Sequence, residues 1–148
     1  MSATDRWVLL LNIAATGMMI GVIWTVQIVH YPLFSMVGRD GFAAYEAAHS
    51  RLITWVVGPP MLLELATAAY LALRAPPGLP RGALWAGLAL VAVAWLSTAL
   101  LQVPQHTRLG SGFDPAAHRF LVASNWVRTV AWSLRGFLLL ALLGRLLR

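Results

Sequence analysis

The chain is 148 residues long, 59% hydrophobic and 11% charged, less than half the charged share of an ordinary soluble domain. A domain this small cannot hide that much apolar material from water, which excludes a water-soluble monomer. The 11 basic residues are all arginine and 5 residues are acidic, for a formal charge of +6. The arginines stand singly, without the basic run or aromatic-interleaved patch that would point to nucleic acid, and the absence of cysteine excludes disulfides, thiolate metal sites and cysteine nucleophiles.

Four apolar stretches are each long enough to cross a bilayer, at about 7–29, 52–73, 83–103 and 120–147. Asp5 and Arg6 precede the first, whose uncharged run is too long for a signal-peptide core and has no small-residue cleavage site beyond it, so it reads as a retained span. His30-Tyr31-Pro32 is expected to stop it at the proline. Residues 38–51 read as an amphipathic helix leading into the second span, where Gly58-Pro59-Pro60 is expected to introduce a kink. A proline-rich connection, 74–81, leads to the third span, which Pro104 is expected to close. Asp114-Pro115 has the form of an N-cap followed by proline at the first helical position, so the fourth helix should begin there, ahead of the bilayer.

The expected fold is an all-α, integral membrane four-helix bundle in one domain, 1–148. Tyr45-Glu-Ala-Ala-His49 and Asp114-Pro-Ala-Ala-His118 occupy equivalent places, and Gln27 with His30 ends span one much as Gln102 with His106 ends span three. The chain therefore reads as two matching helix–loop–helix halves. Four spans put both long connections on one membrane face and both termini with the short loop on the other. Arg6, Arg74, Arg81, Arg145 and Arg148 on the terminal face outnumber Arg39, Arg51, Arg108 and Arg119 opposite. The expected location is a bacterial inner membrane with cytoplasmic termini, an orientation that a reporter fused to the C-terminus would read out.

His30, His49, His106 and His118 all fall near span ends on the long-loop face. Imidazole suits Zn, Cu and Fe, and helix ends gathered in a bundle can converge several rings. Glu46 and His49 have the Glu-x-x-His spacing of di-iron bundles, although the chain brings too few carboxylates to that face for a full di-iron site. The four histidines with Glu46 are thus candidate ligands for one transition metal or a haem iron. The competing reading is interfacial histidines that cap or snorkel.

Charge inside the membrane is costly, so Glu64, Arg128 and Arg135 need partners or a function. Counting ~1.5 Å per residue, Glu64 lies ~18 Å below the start of its span, between Arg128 and Arg135 at ~12 and ~22 Å below Phe120. Either arginine can therefore reach it, as an ion pair that fixes helix register. Two cations against one carboxylate leave one positive charge over, which suits a ligand. Asn125, Arg128, Trp132 and Arg135 line one stripe of the fourth helix. Asn125, Arg128 and Glu64 are candidate catalytic residues; Gln27, Gln102 and Trp126 are candidate cofactor-binding residues. Trp126 can stack on a flat ligand or simply pack.

Leu-Gln-Val-Pro-Gln-His-Thr-Arg-Leu at 101–109 and Asn-Trp-Val-Arg-Thr-Val-Ala-Trp at 125–132 resemble the signature stretches of the small four-helix membrane proteins grouped with anthrone oxygenases. The matching positions are Gln102, Pro104, Leu109, Asn125, Arg128 and Thr129. The chain departs by carrying His106 where Asn is usual and by its Gln27–His30 and Glu46–His49 pairs, which place it nearer an uncharacterised bacterial subgroup. The resemblance implies an oxygen-dependent oxidation of a polycyclic phenolic substrate, and family likeness alone is a weak warrant for chemistry.

The leading expectation is a membrane-embedded oxidoreductase-like protein. A metal or haem would sit on the histidine face, and a lipophilic small molecule would lie beside Asn125, Arg128 and Glu64. Its alternative is a non-catalytic accessory subunit of a larger electron-transfer or photosynthetic membrane complex, and a transporter is a third. The residues leave open whether the chain is a catalyst.

Overall fold

The structure, a computed structural model, describes residues 1–147. Four helices among them are long and apolar enough to cross a membrane: α1 (Ala3–Met36), α2 (Arg39–Arg74), α3 (Arg81–Leu109) and α4 (Pro115–Leu146). The protein is an all-α four-helix bundle and an integral membrane protein. Each helix packs on two neighbours, in the ring order α1, α2, α3, α4, the up-down arrangement that short connections impose. The helices have 34, 36, 29 and 32 residues, so at ~1.5 Å each all exceed the ~30 Å of a hydrocarbon core and their ends stand beyond it.

Each boundary has a local cause. Ser2 and Asp5 form a capping box at the start of α1, with Ser2 N–H donating to Asp5 Oδ2 at 2.9 Å and Asp5 N–H to Ser2 Oγ at 3.1 Å. Asp114 caps α4 as its sequence announces, its Oδ1 accepting from the Ala116 and Ala117 N–H groups, with Pro115 in the first turn. The α1–α2 turn is only Val37-Gly38; Gly38 takes φ +84°, a conformation that an L side chain resists.

Two expectations about proline fail. Pro32 does not stop α1, and Pro104 does not close the third span. Each helix passes its proline through a five-residue π turn, Val26–His30 in α1 and Thr98–Gln102 in α3, closed by Tyr31 N–H on Val26 O and by Val103 N–H on Thr98 O. The widened turn moves aside the carbonyl that the pyrrolidine ring would strike, so the helix bulges instead of breaking. In both helices the proline is the second residue after the π turn. Matching the two turns aligns His30 with Gln102, not with His106 as the spacing alone suggested. Pro59 and Pro60 likewise lie inside an uninterrupted α2.

The packing suits lipid outside and polar groups within. Trp55, Phe137 and Leu100 are more than two-thirds exposed, while Asn12, Thr16, Glu64, Asn125 and Arg135 are almost wholly buried. Leu9, Leu71, Ala72, Leu84 and Leu139 fill the terminal end, and Met19, Ile23, Met61 and Trp132 the middle. Between these layers lies a closed polar knot. Glu64 Oε1 accepts from Arg135 Nε at 2.8 Å and Thr16 Oγ1 at 2.6 Å, and its Oε2 accepts from Trp132 Nε1 at 2.8 Å. Arg135 also donates to Asn12 Oδ1 and to Gly87 O, each at 2.7 Å. A Cβ at residue 87 would lie 3.0 Å from Arg135 Nη1, so a larger residue there would press on the guanidinium. All four helices contribute, and the knot sets their register.

Candidate active site

On the side of this knot away from the termini, where the histidines lie, the bundle holds a cavity of about 500 Å³. Met19, Ile23, Val57, Met61 and Trp132 form an apolar end; Tyr31, Glu46, Gln102, His106 and Arg128 form a polar one. Its rim between α2 and α3 includes the exposed residues Thr54, Val103 and Thr107. A cavity of this size with a few convergent polar groups is the usual form of a small-molecule site.

The polar end is one hydrogen-bonded chain. Buried Glu46 on α2 accepts through Oε1 from His106 Nδ1 at 2.6 Å and from Ser50 Oγ at 3.0 Å. With Nδ1–H held by the carboxylate, His106 Nε2 is the acceptor and Tyr31 O–H donates to it at 2.9 Å. Arg128 Nη2 donates to the same phenol oxygen at 3.1 Å. Arg128 is aimed by Asn125 Oδ1, which accepts from both Nε and Nη2, and by Thr98 Oγ1. Asn125 is fixed in turn by donating to Gln27 Oε1 at 2.9 Å. Behind the phenol, His118 Nε2 donates to Tyr31 O at 2.8 Å and holds that backbone. Local folding explains the convergence, since the π turn in α1 ends just ahead of Tyr31 and that in α3 ends one helical turn ahead of His106.

Among the described residues Arg128 has no carboxylate within ion-pair distance, because Glu64 is taken by Arg135 and Glu46 by His106. The surplus cation foreseen from the charge count is therefore Arg128, and it faces the cavity. A mostly buried guanidinium without a counter-ion favours an anion beside it. The Tyr31 hydroxyl, whose one hydrogen is given to His106, offers an acceptor oxygen at the same point.

The candidates divide as follows. Arg128, Glu46, His106 and Gln102 line the cavity, Gln102 with its amide held by Ser97 and Ser124. Asn125 and Gln27 stand behind Arg128 as supports. Glu64 does not reach the cavity; both its oxygens are spent in the structural knot. Trp126 points outward, 43% exposed, edge-on to Trp24 with ring centroids 5.7 Å apart, and does not line this cavity.

The histidines do gather at one end, but around an apolar ring. Phe34, 0% exposed, has its ring centroid 5.2 Å from those of His30 and His49, 6.4 Å from His106 and 6.3 Å from His118. The volume in which four imidazoles would share an ion is filled with carbon. Among the described residues no group of three or more His, Asp or Glu side chains is arranged to hold a metal ion. Both nitrogens of His106 are already bonded, His30 Nε2 and His49 Nδ1 bond each other at 2.9 Å, and His118 binds a backbone carbonyl. The donor set does not fit a metal ion held by three or four converging protein ligands.

Comparison with known protein families, characterised proteins and solved structures finds no match. The likeness to anthrone oxygenases rests on the two sequence stretches alone.

Sequence reasoning missed Tyr31 and Phe34. Tyr31 sits between His30 and Pro32 and reads as a helix terminus, but a helix that bulges past its proline carries the phenol inward. The signal was available in the repeated pattern of a proline following a polar residue by two positions, at His30-Tyr31-Pro32 and Gln102-Val103-Pro104.

Proposed function

We propose that the protein is a membrane-embedded oxidoreductase that removes a proton from a lipophilic phenolic ketone and lets dioxygen oxidise the resulting anion. The observation carrying this reading is the chain Glu46–His106–Tyr31–Arg128, which ends in an acceptor phenol oxygen and a donor guanidinium at the polar end of an apolar cavity. A planar polycyclic ketone suits that cavity, its apolar rings among Met19, Ile23, Met61 and Trp132 and its carbonyl oxygen toward Arg128. The resemblance to anthrone oxygenases supports the same substrate class. With termini in the cytoplasm of a bacterial cell, the polar end faces the far side of the inner membrane.

The chemistry is a relay. As a substrate C–H bond breaks, its proton passes to the Tyr31 oxygen while the Tyr31 proton moves to His106 Nε2. Glu46 stabilises the imidazolium that forms, as a carboxylate behind a general-base histidine does. The electron pair left on carbon delocalises onto the carbonyl oxygen, where Arg128 meets the new charge. The carbanion then bonds to dioxygen and His106 returns the proton to give a hydroperoxide. Loss of the remaining C–H proton with cleavage of the O–O bond yields a ketone and water. For anthrone the balance is one CH₂ plus O₂ giving one C=O plus H₂O. No step runs through a metal.

Anthrone is thus the probe. Full-length protein in detergent is expected to consume oxygen and form anthraquinone in equal amounts, above the uncatalysed rate. Arg128→Gln should lower turnover by about 10²–10³-fold, the effect of losing one donor to a developing oxyanion. Wild-type protein no faster than buffer, or an undiminished Arg128→Gln, would overturn the reading.

A further inference from the structure

Three polar atoms on residues toward the histidine end have no partner within the protein although they are buried, Glu46 Oε2, His49 Nε2 and Gln105 Oε1, and the first two belong to one helix. Glu46 and His49 are 1% and 8% exposed. They lie three residues apart on α2, which makes them neighbours on one helix face. Buried polar atoms require partners, and a water with two or more such groups around it is a regular part of protein interiors. One donor and one acceptor suit water well: with His30 Nε2–H donating to His49 Nδ1, His49 Nε2 carries hydrogen, while Glu46 Oε2 accepts. Beyond His49 the bond to His30 continues outward, and His30 is only half-buried.

We propose that Glu46, His49 and His30 form a proton path between Tyr31 and the solvent at the histidine end, with one water held between Glu46 Oε2 and His49 Nε2. The order is Tyr31, His106, Glu46, water, His49, His30. Hydrogen-bond lengths of 2.9, 2.6 and 2.9 Å close every protein–protein step. Phe34 and Tyr45 pack on the imidazoles from the sides. This assigns His30 and His49, which do not line the cavity, a role in exchanging the abstracted proton with solvent, and it rests on the proton-abstraction reading above. Oxidation itself does not need the exit, because the proton placed on His106 goes back to the peroxide. Exchange with bulk water does.

That difference defines the test. Anthrone deuterated at its methylene carbon is incubated anaerobically with the full chain in ordinary water and loss of deuterium is followed; aerobic oxidation is measured in parallel. Wild-type protein is expected to wash out deuterium faster than buffer. His30→Ala should slow washout about tenfold or more while leaving oxidation within about twofold, and free imidazole should restore washout. His49→Phe keeps an aromatic ring between Phe34 and Tyr45 and should show the same loss without rescue. Washout unchanged in both variants overturns the path alone and leaves proton abstraction standing. Wild-type protein that neither exchanges nor oxidises anthrone overturns the proposed function and the path together.

Discussion

Glu64→Ala should leave little folded protein. The substitution strips the carboxylate from a site that is 0% exposed and leaves the Arg135 charge, the Trp132 N–H and the Thr16 hydroxyl without their acceptor. Breaking a buried pair from one side costs about 3–5 kcal/mol, a large part of the ~5–15 kcal/mol that holds a typical protein folded. The expected result is a steep drop in monodisperse yield on size exclusion and a much lower thermal midpoint in detergent. Removing both charges, as Glu64→Leu with Arg135→Met, should recover much of the loss, since an apolar pair of similar volume leaves no orphaned ion. Whatever Glu64→Ala protein does fold should oxidise anthrone normally, because Glu64 stays outside the cavity. A stable Glu64→Ala protein that has lost only activity would return Glu64 to the site.

Tyr31→Phe should have the opposite profile. The ring is buried against Phe34, with centroids 5.4 Å apart, and keeps its packing, so the bundle should survive. His106 Nε2 and Arg128 each lose one partner, a cost of about 1–3 kcal/mol for a buried group. Turnover should fall by about 10²–10⁴-fold, the range that a positioned proton-transfer group supplies. KM should change little, because the ring surface and Arg128 still hold the ligand. Oxygen uptake against anthrone concentration separates the two constants. Full activity in Tyr31→Phe would remove the phenol from the relay and leave His106 to act directly.

The bundle was legible because its signals are local and repeated. Apolar runs longer than a bilayer needs, the Asp114-Pro115 cap and the surplus of one cation over Glu64 can all be read without a partner helix. The site was only half legible. Arg128 and its support Asn125 stand in the polar stripe of one helix, so periodicity finds them. Glu64 looked equally functional, since a buried carboxylate near two arginines has the same appearance in sequence whether it binds a ligand or closes a knot. Deciding between them needs Asn12, Thr16 and Gly87, which come from two other helices. The histidines were placed at the correct end and assigned the wrong company: ring positions depend on how α1 passes Pro32, and that π turn brings Phe34 into their midst and Tyr31 onto His106. Trp126 illustrates the general difficulty in membranes, where an aromatic residue is as well suited to lipid as to a ligand.

The central claim, that Tyr31 and its relay draw a proton from a ligand held by Arg128, is tested most directly by the absorption spectrum of anthrone bound to the protein under argon. Without oxygen the reaction stops at the first step. Wild-type protein should hold the ligand as its delocalised anion at a pH where free anthrone remains the ketone, and Tyr31→Phe should hold the ketone. A bound ketone in wild-type protein, or an equal share of anion in Tyr31→Phe, would contradict it.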